Sequence, residues 1–129
     1  MPRRHAPVVR RIGDATLYLG DCLAVLSHLP KVDAVVTSPP YNTLGSRVPD
    51  RPTGMHRDSG WLKKVRDIGY ADDMDEEEYW AWLNRVIDGC LERTDGLVWV
   101  NHKTRYRDRQ ASCPLRHIHA PVYAEVVWS

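Results

Sequence analysis

Several features are scarce in this 129-residue chain, and each scarcity excludes a class of protein. No apolar run approaches the ~18 residues of a membrane-spanning helix, so no such segment is predicted. Cys22, Cys90 and Cys113 are odd in number and far apart, which argues against a disulfide framework and for reduced thiols in a cytoplasm. The net charge is only +1, so any contact with nucleic acid must come from local basic patches. Phenylalanine and the pattern Gly-x-Gly are both absent.

The first forty residues alternate between strand and helix patterns. Residues 8–19 predict a hairpin around Gly13-Asp14, and a short helix is predicted after Gly20-Asp21-Cys22. Residues 34–36 predict a buried strand. This order is typical of the α/β class, in which ligands bind beyond the carboxyl ends of the strands. Asp21 lies between a strand and a helix, where an N-cap is its structural interpretation.

The buried strand ends at Ser38-Pro39-Pro40-Tyr41, a rigid turn with a chemical use. Two prolines fix two φ angles, so the Ser38 hydroxyl and the Pro39 carbonyl point in set directions beside an aromatic ring. The exocyclic amine of adenine or cytosine is a poor nucleophile, and acceptors on its hydrogens stabilise the charge that develops when it attacks. A base reaches such a pocket only after leaving its stack, and Tyr41 offers a replacement stacking face.

These residues carry a resemblance to a known family. Ser38-Pro39-Pro40-Tyr41 after an apolar strand, with Gly20-Asp21-Cys22 upstream, resembles the amino-methylating DNA methyltransferases, which modify N4 of cytosine or N6 of adenine. The run at 125–128, Glu-Val-Val-Trp, is similar to a strand of the same family. The resemblance implies S-adenosylmethionine as cofactor and double-stranded DNA as partner. A strand-ending turn without chemistry is the structural alternative.

The family pattern also implies a role for each residue. Ser38 and the Pro39 carbonyl would hold the amine, Pro40 would set the turn, and Tyr41 would stack on the flipped base. Asp21 and Cys22 would orient the cofactor. A serine before Pro-Pro slightly favours cytosine over adenine.

The family's cofactor turn, Phe-x-Gly-x-Gly, has no counterpart here. We therefore expect residues 1–129 to be one partial domain: the amino-terminal catalytic half of a Rossmann-like methyltransferase sheet that lacks the cofactor-binding half. Such a chain would belong to a longer enzyme, a split enzyme with a complementing carboxyl-terminal half, or a gene remnant. Alone, it is expected to have marginal stability, little affinity for the cofactor and no turnover.

Two basic stretches are candidates for DNA contact. Residues 43–72 lose all periodic pattern, which indicates a mobile or DNA-contacting loop, and Lys63, Lys64 and Arg66 beside Trp61 are its candidates. The second stretch follows a predicted strand at 97–101 and contributes Lys103, Arg105 and Arg107. A solvated polar surface explains either stretch as well.

The most regular pattern is a helix in the second half. Its apolar stripe runs from Tyr79 to Leu91, Asp73 or Asp75 is its expected cap, and Trp80 lies off the stripe, where partial exposure is expected. A further strand is predicted at 122–128.

Two other chemistries and one non-enzymatic role compete with DNA methylation. Enzymes that methylate an RNA base or a protein glutamine bind and activate the target nitrogen in the same way, although they have Asn at the position of Ser38. A degenerate fragment that only binds DNA is the non-enzymatic alternative. No metal is expected, because Cys113, His117 and His119 lack a fourth ligand and the spacing of structural zinc sites.

Overall fold

The computed structural model describes residues 6–42, 74–107 and 110–127. This part of the chain mixes helices and strands, as expected for the α/β class, and its strands pair into three two-stranded sheets. In chain order its elements are β1 (Val8–Ile12), β2 (Ala15–Leu19), α1 (Cys22–Leu26), β3 (Val35–Thr37), α2 (Glu76–Leu91), β4 (Val98–Val100), β5 (Arg105–Arg107), β6 (Gln110–Ser112) and a 3-10 turn (Pro114–Arg116). The predicted loop at 43–72 lies outside the described residues.

The predicted hairpin is confirmed. β1 and β2 pair antiparallel, with Val8 opposite Leu19 and Ile12 opposite Ala15. Gly13 turns the chain with φ +58°, a conformation that residues with a Cβ rarely adopt. α1 follows directly, and the Asp21 carboxylate caps it by accepting the backbone N–H of Ala24 at 3.1 Å.

β3 and β4 form a parallel pair that fixes where the diproline turn lies. Val35 is opposite Val98 and Thr37 is opposite Val100, and the backbone N–H of Asn101 donates to the carbonyl of Thr37 at 2.9 Å. The first residues after both strands therefore meet at one edge of this pair. One face is open: Val36 is 82% exposed and its neighbour Trp99 is 49% exposed. Parallel strands are normally covered on both faces, so this pair lacks a layer among the described residues.

α2 carries the core. Asp75 caps it by accepting the backbone N–H groups of Glu77 and Glu78, which settles the predicted choice between Asp73 and Asp75. The buried cluster consists of Tyr79, Trp80, Leu83 and Ile87. No helix in the described ranges is long and apolar enough to cross a membrane.

The expectation that Trp80 is partly exposed is wrong. Its side chain is only 6% exposed, because the imidazole rings of His117 and His102 stack on it at centroid distances of 4.4 and 5.5 Å. Its indole N–H donates to Glu76 at 2.9 Å. The segments after α2 that carry His102 and His117 therefore cover Trp80, and the buried face of the helix is one residue wider than the apolar stripe predicts.

The segment after β4 differs from the sequence interpretation in two places. β5 and β6 form a short antiparallel pair that the sequence pattern did not predict. Residues 121–127 have no regular secondary structure and are exposed, so the strand predicted at 122–128 is absent over the described part of that range. A strand forms only when a neighbour accepts its ladder hydrogen bonds, and no described strand lies beside this segment.

Candidate functional site

The candidate site is the diproline turn (residues 38–42), which leaves the carboxyl end of β3. Pro39 is buried, Pro40 and Tyr41 are half-buried, and Ser38 is exposed. The parallel register of β3 and β4 brings Asn101 and His102 to the same edge.

Three side chains form a closed triangle of hydrogen bonds at this edge. The Asn101 amide nitrogen donates to the Tyr41 hydroxyl at 2.7 Å and to the Ser38 hydroxyl at 3.2 Å. The two hydroxyl oxygens lie 3.0 Å apart and share a further hydrogen bond. The Ser38 hydroxyl is thus held by side chains rather than by backbone groups, and it remains on the surface.

The Pro39 carbonyl supplies the second acceptor of the turn. No donor within residues 6–42, 74–107 and 110–127 reaches this oxygen. This carbonyl follows the serine hydroxyl by one residue, so the turn carries two acceptors in succession. Two such acceptors match the two hydrogens of an exocyclic amine.

The next carbonyl, that of Pro40, is held by the helix. The Tyr79 hydroxyl donates to it at 2.6 Å and lies 2.7 Å from Nε2 of His102. Because the tyrosine hydrogen is used on Pro40, His102 donates its Nε2–H to the tyrosine oxygen. Its Nδ1 lies 2.9 Å from both the backbone N–H and the carbonyl oxygen of Lys103, and in the neutral ring it accepts from the N–H. Burial lowers the pKa of His102 below its ordinary value of 6.5, which favours this neutral form.

Two groups from the described part of the chain lie beside the Tyr41 ring. His102 is tilted against it with a centroid distance of 5.2 Å, and the ammonium group of Lys103 lies 5.6 Å from its centroid. Lys103 is exposed, as its predicted contact with a phosphate requires. A base stacked on Tyr41 would thus lie within reach of a cation.

Asn42 closes the turn. It is 1% exposed and adopts φ +55°, which asparagine tolerates better than other side chains. The side-chain amide of Asn42 donates to the Met74 carbonyl at 2.9 Å, and the backbone carbonyl of Asn42 accepts a hydrogen bond from the Arg105 guanidinium at 3.0 Å. These bonds tie the end of the turn to the start of α2 and to β5.

Arg105 has a structural role, which corrects its assignment as a DNA contact. Its side chain is 3% exposed and pairs with Glu76 at 2.9 Å. Its guanidinium also lies 5.0 Å from the ring centroid of Tyr79. A guanidinium enclosed in this way has no surface to offer a phosphate. Lys63, Lys64, Arg66 and the side chain of Arg107 lie outside what the structure describes.

Asp21 and Cys22, the predicted cofactor residues, lie at the start of α1, which follows the β1–β2 sheet and packs against α2 through Leu26 beside Gly89. Asp21 is exposed and uses one carboxylate oxygen as the helix cap. Desolvation, and then the charge of Asp21, raise the pKa of the Cys22 thiol, which keeps it protonated.

Sequence reasoning missed three residues that shape the turn: Asn101, His102 and Tyr79. Asn101 is the last residue of the predicted strand 97–101, and the carboxyl end of a strand is itself a signal for a site residue in α/β folds. Tyr79 carried no such signal, because it lies on the apolar stripe and was interpreted as core alone.

The comparisons with known proteins identify no relative. No protein-family model matches the chain, and no curated protein or solved structure does so. The function is therefore inferred from the residues and the geometry of the turn.

Proposed function

We propose that this chain is the catalytic half of an amino-methylating DNA methyltransferase. The reaction would transfer a methyl group from S-adenosylmethionine to N4 of cytosine or N6 of adenine in double-stranded DNA. The observation that carries the proposal is the pair of acceptors at the end of β3, the Ser38 hydroxyl and the Pro39 carbonyl, beside the Tyr41 ring.

The residues of the turn divide the work. The Ser38 oxygen and the Pro39 carbonyl would each accept a hydrogen bond from one amine N–H. These bonds would draw the nitrogen towards a tetrahedral shape, in which its lone pair is free for attack. Pro40 sets the direction of the chain, and its carbonyl is occupied by Tyr79 rather than by substrate. Tyr41 supplies the stacking face for a base taken out of the duplex.

The residues present fit only part of S-adenosylmethionine, the cofactor that this reaction needs. Asp21 is exposed and keeps a carboxylate oxygen beyond the one that caps α1, which suits the adenine amine of the cofactor. Cys22 is the adjacent candidate. No Gly-x-Gly is available to approach the methionine portion. When bound, the cofactor supplies an electrophilic methyl group. Its contacts beyond Asp21 and Cys22 would come from the complementing half.

We further propose that the β3–β4 pair is one part of a Rossmann-like sheet and that a complementing carboxyl-terminal half covers it. The exposed Val36 and Trp99 support this, because parallel strands are stable when both of their faces are buried. The hairpin β1–β2 forms a separate sheet from β3–β4, as expected if strands of the complementing half lie between them.

A methyl-transfer assay tests the reaction. The chain is incubated with labelled S-adenosylmethionine and double-stranded DNA, alone and with a complementing half that carries a Phe-x-Gly-x-Gly turn. Product appears as N4-methylcytosine or N6-methyladenine only in the mixture, and Ser38→Ala abolishes it. Calorimetry on the isolated chain should detect little cofactor binding; tight binding would contradict the assignment of a half site.

A second candidate, a non-catalytic remnant that binds DNA, is favoured by the absence of Gly-x-Gly. The same assay separates the two proposals. Product in the mixture excludes the non-catalytic remnant. If DNA binding is retained but neither the chain alone nor the mixture gives product, the remnant is the remaining proposal.

A further inference from the structure

Asn101 occupies a position that the proposed reaction does not yet use. Its backbone N–H is fixed to Thr37, the residue before Ser38, and its side chain reaches both hydroxyl groups of the turn. An amide nitrogen carries two hydrogens, and each has one partner here: the Tyr41 oxygen at 2.7 Å and the Ser38 oxygen at 3.2 Å.

The hydrogen-bond inventory of Ser38 shows what this arrangement does. A serine hydroxyl has one hydrogen and two lone pairs, which together define three directions around the oxygen. Asn101 occupies one lone pair, and the Tyr41 hydroxyl occupies a second direction at 3.0 Å. One direction remains, and the same two partners fix where it points.

We propose that Asn101 is a positioning residue that aims the remaining hydrogen-bonding direction of Ser38 at the amine of the flipped base. This proposal rests on the proposed function. When Ser38 gives its hydrogen to Tyr41, the free direction is a lone pair and accepts an amine N–H. When Tyr41 gives its hydrogen to Ser38, the free direction is an O–H, which suits a carbonyl-bearing base instead.

Two substitutions separate positioning from simple packing. Asn101→Ala removes the hydrogen bond from residue 101 to each hydroxyl group and leaves only the one between Ser38 and Tyr41, so the Ser38 oxygen is less constrained and the amine loses a preoriented partner. Asn101→Asp places a carboxylate at the same distance, and a carboxylate only accepts. Ser38 and Tyr41 then both donate to residue 101, and the free position of Ser38 is always an acceptor.

The experiment is a nitrogen–proton NMR titration of the full chain with 2′-deoxycytidine and with 2′-deoxyuridine, which has a carbonyl where cytosine has its amine. We expect the wild type to prefer deoxycytidine. Asn101→Ala should weaken deoxycytidine binding about fivefold, the value of one ordinary hydrogen bond, and leave deoxyuridine binding nearly unchanged. Asn101→Asp should keep the affinity for deoxycytidine and increase the preference over deoxyuridine.

Thr104→Ala is the matched control, since it removes a polar group from the same exposed segment. The spectrum of each variant also reports whether it folds. The role of Asn101 is wrong if Asn101→Ala binds deoxycytidine like the wild type, or if Asn101→Asp loses as much affinity as Asn101→Ala. A wild type that does not prefer deoxycytidine would exclude cytosine as the substrate base and overturn the role of Asn101, whereas the methyl-transfer assay tests the proposed function itself.

Discussion

We expect Tyr79→Phe to destabilise the chain although it removes only one oxygen atom. Tyr79 is 1% exposed, and its hydroxyl joins two parts of the fold that are distant in sequence. It donates to the Pro40 carbonyl at 2.6 Å and accepts from His102 at 2.7 Å. Phenylalanine keeps the ring packing and deletes both hydrogen bonds.

The magnitude follows from what the deletion leaves behind. A buried polar group that loses its partner costs about 1–3 kcal/mol. The Pro40 carbonyl and the His102 ring are half-buried, so water compensates part of that cost. We therefore expect the free energy of unfolding to fall by about 2 kcal/mol, and the melting temperature by about 8 °C for a chain of this length.

Urea and thermal denaturation, followed by circular dichroism, measure the effect. Tyr106→Phe is the matched control, because Tyr106 is 73% exposed and the same atom is removed there in water. The control should leave both values unchanged. A Tyr79→Phe variant as stable as the control would refute the reasoning, since the two hydrogen bonds would then contribute nothing to folding.

Two further outcomes follow from backbone packing and from burial. Gly96→Ala should cost at least about 2 kcal/mol, because its new Cβ would lie 2.0 Å from the carbonyl oxygen of Asp33. Gly89→Ala, whose Cβ meets only the flexible end of Leu26 at 3.2 Å, should be close to neutral in the same urea titration; equal losses would contradict this. Burial lowers the pKa of His102, so the unfolded chain binds this proton more tightly, and stability should decline as pH falls through 6.5 towards the folded-state pKa. His102→Gln should lack the part of this decrease in stability that His102 causes. If the urea midpoints of the wild type and of His102→Gln change with pH in parallel, the reasoning is wrong.

Short-range patterns in the sequence were sufficient for most of the elements. Gly13 predicted the hairpin turn, the two prolines ended β3, and the apolar stripe with Asp75 before it predicted α2. Each of these depends on steric limits or hydrogen bonds within a few residues. Local chemistry therefore determined where the elements begin and end, and which residues form the turn after β3.

The tertiary structure decided which side chains meet. Trp80 is buried because His117 and His102 return to it, and Arg105 is enclosed because Glu76 and the end of the diproline turn lie around it. Asn101 reaches Ser38 only through the parallel register of β3 and β4. The exposed segment at 121–127 shows the converse, since an apolar run forms no strand without a neighbour. These outcomes depend on contacts between residues that are far apart in the chain, and no local propensity contains them.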